Sequence, residues 1–163
     1  MRGSIGTQSG PSLSQPRRIN FLPQPLLAPD LEAGNAAAVS ARVLVVEDDH
    51  IVAMEIEHTL LDAGFVVVGI AVSADEALAM ARSERPDLAL MDIRLVGLRD
   101  GIDAAIDIFT QTGIRCIFAT AHSDPSTRRK AQAARPLGWL SKPYTPSALV
   151  QAVRDALPGL RTP

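Results

Sequence analysis

The sequence predicts an α/β domain built on a parallel sheet, and three observations carry that expectation. Short apolar runs alternate with amphipathic stretches five times between residue 42 and the C-terminus. The runs are continuous rather than alternating, as in strands covered on both faces. Helix-start and helix-stop residues punctuate the boundaries between them.

The elements follow in order. Val43-Leu44-Val45-Val46 is the first strand. Val52, Ile56 and Leu60 then recur every fourth residue, which predicts an amphipathic helix ended by Gly64. Phe65 to Ile70 is the second strand, and Ser73 with Glu76 forms a capping box that opens a helix running to Glu84. Pro86 closes that helix, and Asp87 to Met91 reads as the third strand. Ile102, Ala105, Ile106 and Phe109 outline a third helix stopped by Gly113, and Ile114 to Ala119 is the fourth strand. Asp124-Pro125 pairs an N-cap with proline at the first helical position. Leu137 to Leu140 is a short fifth strand, and Thr145-Pro146 opens a last helix over Leu149, Val153 and Leu157.

Composition narrows the function classes. The 163 residues carry 16 basic and 18 acidic side chains, net −2, which excludes the basic excess of a general nucleic-acid binder. Cys116 is the single cysteine, so no intrachain disulfide framework and no CxxC zinc site exist. No run of about 18 apolar residues is present, and Arg2 is not followed by an apolar stretch of the signal-peptide kind. The expectation is a soluble cytoplasmic protein with no nucleic-acid or membrane partner. Residues 1–40 hold five of the twelve prolines and no sustained apolar period, which predicts a disordered extension. The expected organisation is this extension, a folded domain over 41–158 and a short tail over 159–163.

Ligands of doubly wound sheets sit beyond the carboxyl ends of the strands. Glu47, Asp48 and Asp49 follow the first strand, Asp92 the third, Thr120 the fourth and Lys142-Pro143 the fifth. Two carboxylates about 4 Å apart repel by roughly 4 kcal/mol at an effective dielectric near 20, so such a cluster calls for a cation. An all-oxygen site open to water suits Mg²⁺ or Mn²⁺. A lysine and a threonine opposite the metal suit an anion with phosphate-like oxygens. An aspartate beside both can act as a nucleophile and form an acyl phosphate. Lys142 is one of only two lysines, the other being Lys130.

Four segments in this order, Val45-Val46-Glu47-Asp48-Asp49, Leu90-Met91-Asp92-Ile93-Arg94, Phe118-Ala119-Thr120-Ala121 and Trp139-Leu140-Ser141-Lys142-Pro143, resemble the receiver domain of two-component response regulators. The resemblance covers residues 41–158. It implies a flavodoxin-like (βα)5 fold with strand order 2-1-3-4-5. It also implies that Asp92 is the phosphoacceptor, and that Glu47, Asp48, Asp92 and the backbone carbonyl of Arg94 bind Mg²⁺ or Mn²⁺. Thr120 and Lys142 would bind the phosphoryl oxygens, and Thr120 with Trp139 would form the switch. Asp49 and His122 are accessory candidates, Asp49 also serving as a helix N-cap. The implied partner is a sensor histidine kinase or a histidine phosphotransfer protein.

Met91-Asp92-Ile93-Arg94-Leu95, with Gly138-Trp139-Leu140 and Lys142-Pro143-Tyr144, is similar to stand-alone receivers associated with alphaproteobacteria. Their kinases are often of the HWE type. Such a protein would be no enzyme beyond assisting its own phosphotransfer and autodephosphorylation. With no output domain after Pro163, it would signal through a surface around the fourth helix, fifth strand and fifth helix, or relay the phosphoryl group. Two departures stand out. Val96 occupies the position, four after the acceptor, where the family often has proline, in a loop that is slightly long. Trp139 is bulkier than the family's usual tyrosine or phenylalanine.

Two other readings start from the same residues. A hydrolase of the haloacid dehalogenase type needs a second acid two residues after its nucleophile, and that residue is Arg94. An interaction module that works without phosphorylation would need the fold alone. Cys116 reads as a buried small hydrophobe, His50 and His58 as surface residues, and Arg128, Arg129 and Lys130 as a solvated face.

Overall fold

The computed structural model describes residues 40–121 and 124–160. The expected extension over 1–40 therefore lies outside the described residues except for Ser40, and so does His122. Five parallel strands, β1 (Arg42–Val46), β2 (Val66–Ala71), β3 (Leu88–Asp92), β4 (Arg115–Thr120) and β5 (Gly138–Ser141), form one sheet in the order β2-β1-β3-β4-β5. The helices are α1 (His50–Asp62), α2 (Ala74–Glu84), α3 (Gly101–Thr112), α4 (Pro125–Ala131) and α5 (Pro146–Leu160). A single 3-10 turn over Gln132–Ala134 follows α4.

Strand alternation sends side chains to two separate cores. Val43 and Val45, Leu88 and Leu90, and Ile117 and Ala119 meet Ile56 and Leu60 of α1 and Leu149 and Val153 of α5. Leu44 and Val46, Ala89 and Met91, and Cys116 and Phe118 meet α2, α3 and α4 through small residues such as Ala77, Ala81 and Ala105. Four of the strands begin one residue after, and end one residue beyond, the apolar runs that announced them. Apolar residues mark burial, whereas pairing continues to the polar residues at the carboxyl edge. Asp92 thus pairs with Ala119 and Thr120 with Ser141.

The punctuation behaves as the residue types dictate, with two changes. Asp49 caps α1 by accepting from the N–H groups of Ile51 and Val52, and Asp124 caps α4 in the same way. Gly113 ends α3 in the left-handed region at φ 75°. In the capping box, Ser73 accepts from the Glu76 N–H at 3.3 Å, but Glu76 reaches back to the Val72 N–H at 2.9 Å, one residue before the cap. Helix α5 runs on to Leu160 with Pro158 inside it, so it takes in the first two residues of the expected tail, and 161–163 lie outside the described residues.

Cys116 is 3% exposed on β4, and burial pushes its thiol pKa up to about 12. At pH 8 the nucleophilic thiolate is therefore nearly absent. Iodoacetamide is expected to leave the native protein unmodified and to alkylate it once in denaturant, as read by intact mass. Rapid labelling of the native chain would contradict the packing of β4.

Candidate functional site

The carboxyl edge of the sheet gathers the acids. Backbone pairing carries past β1, because the Glu47 N–H donates to the Ala71 carbonyl at 3.0 Å. This turns the Glu47 side chain inward, where it is only 4% exposed. Asp92 is the last residue of β3, and its side chain is 11% exposed. Glu47, Asp48 and Asp92 each offer a carboxylate oxygen, all within 4.8 Å of one another.

Lys142 comes from the far side of the sheet, 95 residues after Glu47 and 50 after Asp92. Its Nζ donates to Glu47 Oε2 at 2.6 Å and to Asp92 Oδ2 at 2.8 Å. The Lys142 N–H donates to the Thr120 carbonyl at 2.9 Å, which ties the start of the β5–α5 loop to the end of β4. Burial alone would lower the ammonium pKa, but the hydrogen bonds to Asp92 and Glu47 outweigh it and the pKa is raised. Burial raises the Glu47 carboxyl, and the neighbouring Asp92 charge adds to this against the lowering effect of Lys142.

Three carboxylates against one ammonium leave a local charge of −2, and the donors are all oxygen. That set fits a hard divalent cation such as Mg²⁺ or Mn²⁺, held by Glu47, Asp48 and Asp92. The backbone of Arg94 lies at the same place, since its N–H donates to Asp92 Oδ1 at 3.2 Å.

The remaining expected residues divide between two roles. Thr120 is 3% exposed at the end of β4, one residue past the register partner of Asp92. Trp139 pairs with Phe118 across β4 and β5, and their rings lie 4.8 Å apart at 32°. Alternation puts Phe118, Thr120 and Trp139 on the α3/α4 face, and Glu47 and Lys142 toward the α1/α5 face. Asp49 is exposed and spends its carboxylate on capping α1 rather than on the acidic cluster.

Arg128, Arg129 and Lys130 are exposed, as the solvated-face reading expects, but two of the three also make contacts. The Arg128 guanidinium lies 4.7 Å from the centre of the Trp139 ring. Lys130 Nζ bonds Asp100 at 3.0 Å and Asp103 at 3.1 Å on α3. All three side chains remain exposed, so the apolar period gave no sign of these contacts.

An open cavity of about 750 Å³ lies between α1 and the β5–α5 loop, lined by Val52, Ile56, Lys142, Pro143, Tyr144 and Leu149 among others. No helix among the described residues is long and apolar enough to cross a membrane.

Comparison with known proteins agrees with this fold. The model of the response regulator receiver domain matches residues 43–154. The transcriptional regulatory protein PdtaR of Mycobacterium tuberculosis is 34% identical over 125 residues, 77% of this chain and 60% of that protein. The phyllosphere-induced regulator PhyR of Methylorubrum extorquens is 32% identical over 129 residues, 77% of this chain and 48% of its own length. The chain thus spans about half to three fifths of these curated relatives. A solved signal receiver domain of a modulated diguanylate cyclase from Desulfovibrio desulfuricans superposes with a TM-score of 0.69 at 31% identity, covering 75% of this chain and 97% of that one.

Proposed function

Because the chain belongs to the response regulator receiver domain family, we propose that it accepts a phosphoryl group from a protein phosphohistidine onto the Asp92 carboxylate. The observation that carries this is Asp92 at the carboxyl edge, bonded to Lys142 Nζ at 2.8 Å and within reach of Glu47 and Asp48. An Asp92 oxygen attacks phosphorus, the nitrogen–phosphorus bond of the donor breaks, and the imidazole leaves with the electron pair. The product is an acyl phosphate on Asp92.

When bound by Glu47, Asp48, Asp92 and the Arg94 carbonyl, Mg²⁺ or Mn²⁺ supplies positive charge to the phosphoryl oxygens. Lys142 already sits on the acceptor, so its ammonium neutralises a phosphoryl oxygen with little movement. The Thr120 hydroxyl, on the neighbouring strand end, hydrogen-bonds a second one. The donor is a sensor histidine kinase, with the HWE type as the first candidate, or a histidine phosphotransfer protein. The signal leaves through the α4–β5–α5 surface by way of Thr120 and Trp139, or the phosphoryl group passes onward in a relay. The chain's own chemistry is limited to assisting this transfer and the later hydrolysis of the acyl phosphate.

Intact-mass spectrometry with Mg²⁺ and acetyl phosphate tests the reading. The wild-type chain is expected to gain the mass of one phosphoryl group and Asp92→Asn none. A wild-type chain that gains nothing, or an Asp92→Asn protein that still gains it, removes the assignment. Phosphotransfer profiling against purified kinases then identifies the partner class.

A further inference from the structure

The segment between β3 and α3 carries the Arg94 carbonyl; Ile93 and Leu95 pack against the core, but the stretch from Val96 to Leu98 is exposed. Val96 is 73% exposed, Leu98 is fully exposed, and Gly97 adopts φ 128°. A proline at Val96 would have stiffened this stretch through its fixed φ, and the chain does without one. Its ends are nevertheless secured. At the start the Arg94 N–H donates to Asp92 Oδ1 at 3.2 Å. At the end Asp100 caps α3 by accepting from the Asp103 N–H at 2.8 Å, and the Gly101 N–H donates to the Ile93 carbonyl at 2.8 Å.

Between these ends Leu95 packs against the core on the α2/α3 side, and the Arg99 side chain reaches two helices. The Arg99 guanidinium donates through Nη1 to Asp75 in the first turn of α2 at 2.9 Å, and through Nη2 to Asp107 in α3. The two carboxylates lie on different helices, and a planar fork can hold both at once, which a lysine ammonium does less well. Arg99 is 34% exposed and Asp107 39%, whereas Asp75 is 86% exposed, so the contact to α3 is the better sheltered one.

We infer that Arg99 is a positioning residue of the site: by clamping α2 and α3 it holds the Ile93–Asp100 loop in the shape that presents the Arg94 carbonyl beside Asp92. The consequence for metal binding rests on the reading of Asp92 and Arg94 proposed above. The clamp itself does not, and the two are separable by experiment.

Amide hydrogen exchange of residues 94–98 in EDTA reads the clamp without metal or phosphodonor. Arg99→Gln is expected to speed exchange there by about fivefold, the effect of losing an ion pair at the strong end of the exposed range. Asp107→Asn alone gives a smaller rise, and adding it to Arg99→Gln gives none, because the shared contact is already gone. Arg99→Lys recovers part of the protection. Exchange unchanged in Arg99→Gln, or a double variant whose rise is the product of the single ones, overturns the clamp. Mg²⁺ titration of the same proteins reads the consequence, and a several-fold weaker midpoint in Arg99→Gln at nearly unchanged Tm is expected. Equal Mg²⁺ midpoints with faster exchange would overturn the link to Arg94. A wild-type chain that takes no phosphoryl group would instead remove the functional reading and leave the exchange result standing.

Discussion

Lys142→Met is expected to unfold about 2 kcal/mol more easily than the wild-type chain in EDTA, as measured by urea denaturation at pH 7. Removing one partner of a fully buried ion pair costs roughly 3–5 kcal/mol, and the 23% exposure of Lys142 reduces that figure. The loss leaves Glu47 and Asp92 facing each other with no cation between them. Mg²⁺ can then recover more stability in the variant than in the wild-type chain. The pH dependence follows from the direction of the Glu47 shift. A carboxyl whose folded pKa lies above its unfolded value binds its proton more tightly in the folded state, so it favours folding at low pH and loses that contribution as pH rises through the folded pKa. Without Lys142 the lowering influence on Glu47 disappears and the shift grows. The stability gap between variant and wild type should therefore narrow as pH falls from 7 toward 5. A gap that widens on acidification would show that Glu47 does not carry the effect.

Gly101→Ala is expected to cost about 1–3 kcal/mol, the range for forcing extra atoms into a packed site, and to suppress phosphoryl uptake by Asp92. A Cβ on Gly101 would lie 1.8 Å from the carbonyl oxygen of Asp92, 2.8 Å from its carbonyl carbon and 3.0 Å from the Cα of Ile93. All three atoms are backbone, so no rotamer change relieves the contact. Helix α3 has to move away from the end of β3, which breaks the bond from the Gly101 N–H to the Ile93 carbonyl. Gly138→Ala in β5 is the matched control, because nothing lies within 4 Å of a Cβ built there. Thermal unfolding and intact mass after acetyl phosphate treatment measure both effects. Equal losses in the two variants would contradict the close approach of α3 to Asp92.

Much of the fold could be read in the residues, because each of its determinants is local. Runs such as Val43–Val46 mark strands with two covered faces, and Asp49, Asp124 and Gly113 act on backbone groups within four residues of themselves. The acids at the strand ends were legible for the same reason, once the sheet order brought them to one edge. Side-chain partners across long separations were not. Nothing near Arg99 announces Asp75 and Asp107, and nothing near Lys130 announces Asp100 and Asp103. Such pairs depend on where helices pack, and their charges read locally as ordinary solvated residues. Arg85 and Arg135 adopt φ of 48° where glycine or asparagine would be expected, each just before a proline, and the sequence offered no sign of it.

The stack of Phe118, Trp139 and Arg128 also has an optical consequence. Trp139 is the single tryptophan in the chain, so ultraviolet emission excited at its red edge comes from one indole alone. That indole lies against the Phe118 ring and the Arg128 guanidinium, on the strand beside α4. Any repositioning of α4 relative to β5 changes the electric field across the indole and the quenchers around it. The protein therefore contains its own fluorophore at the α4–β5 contact, and its emission can be followed in real time without a label.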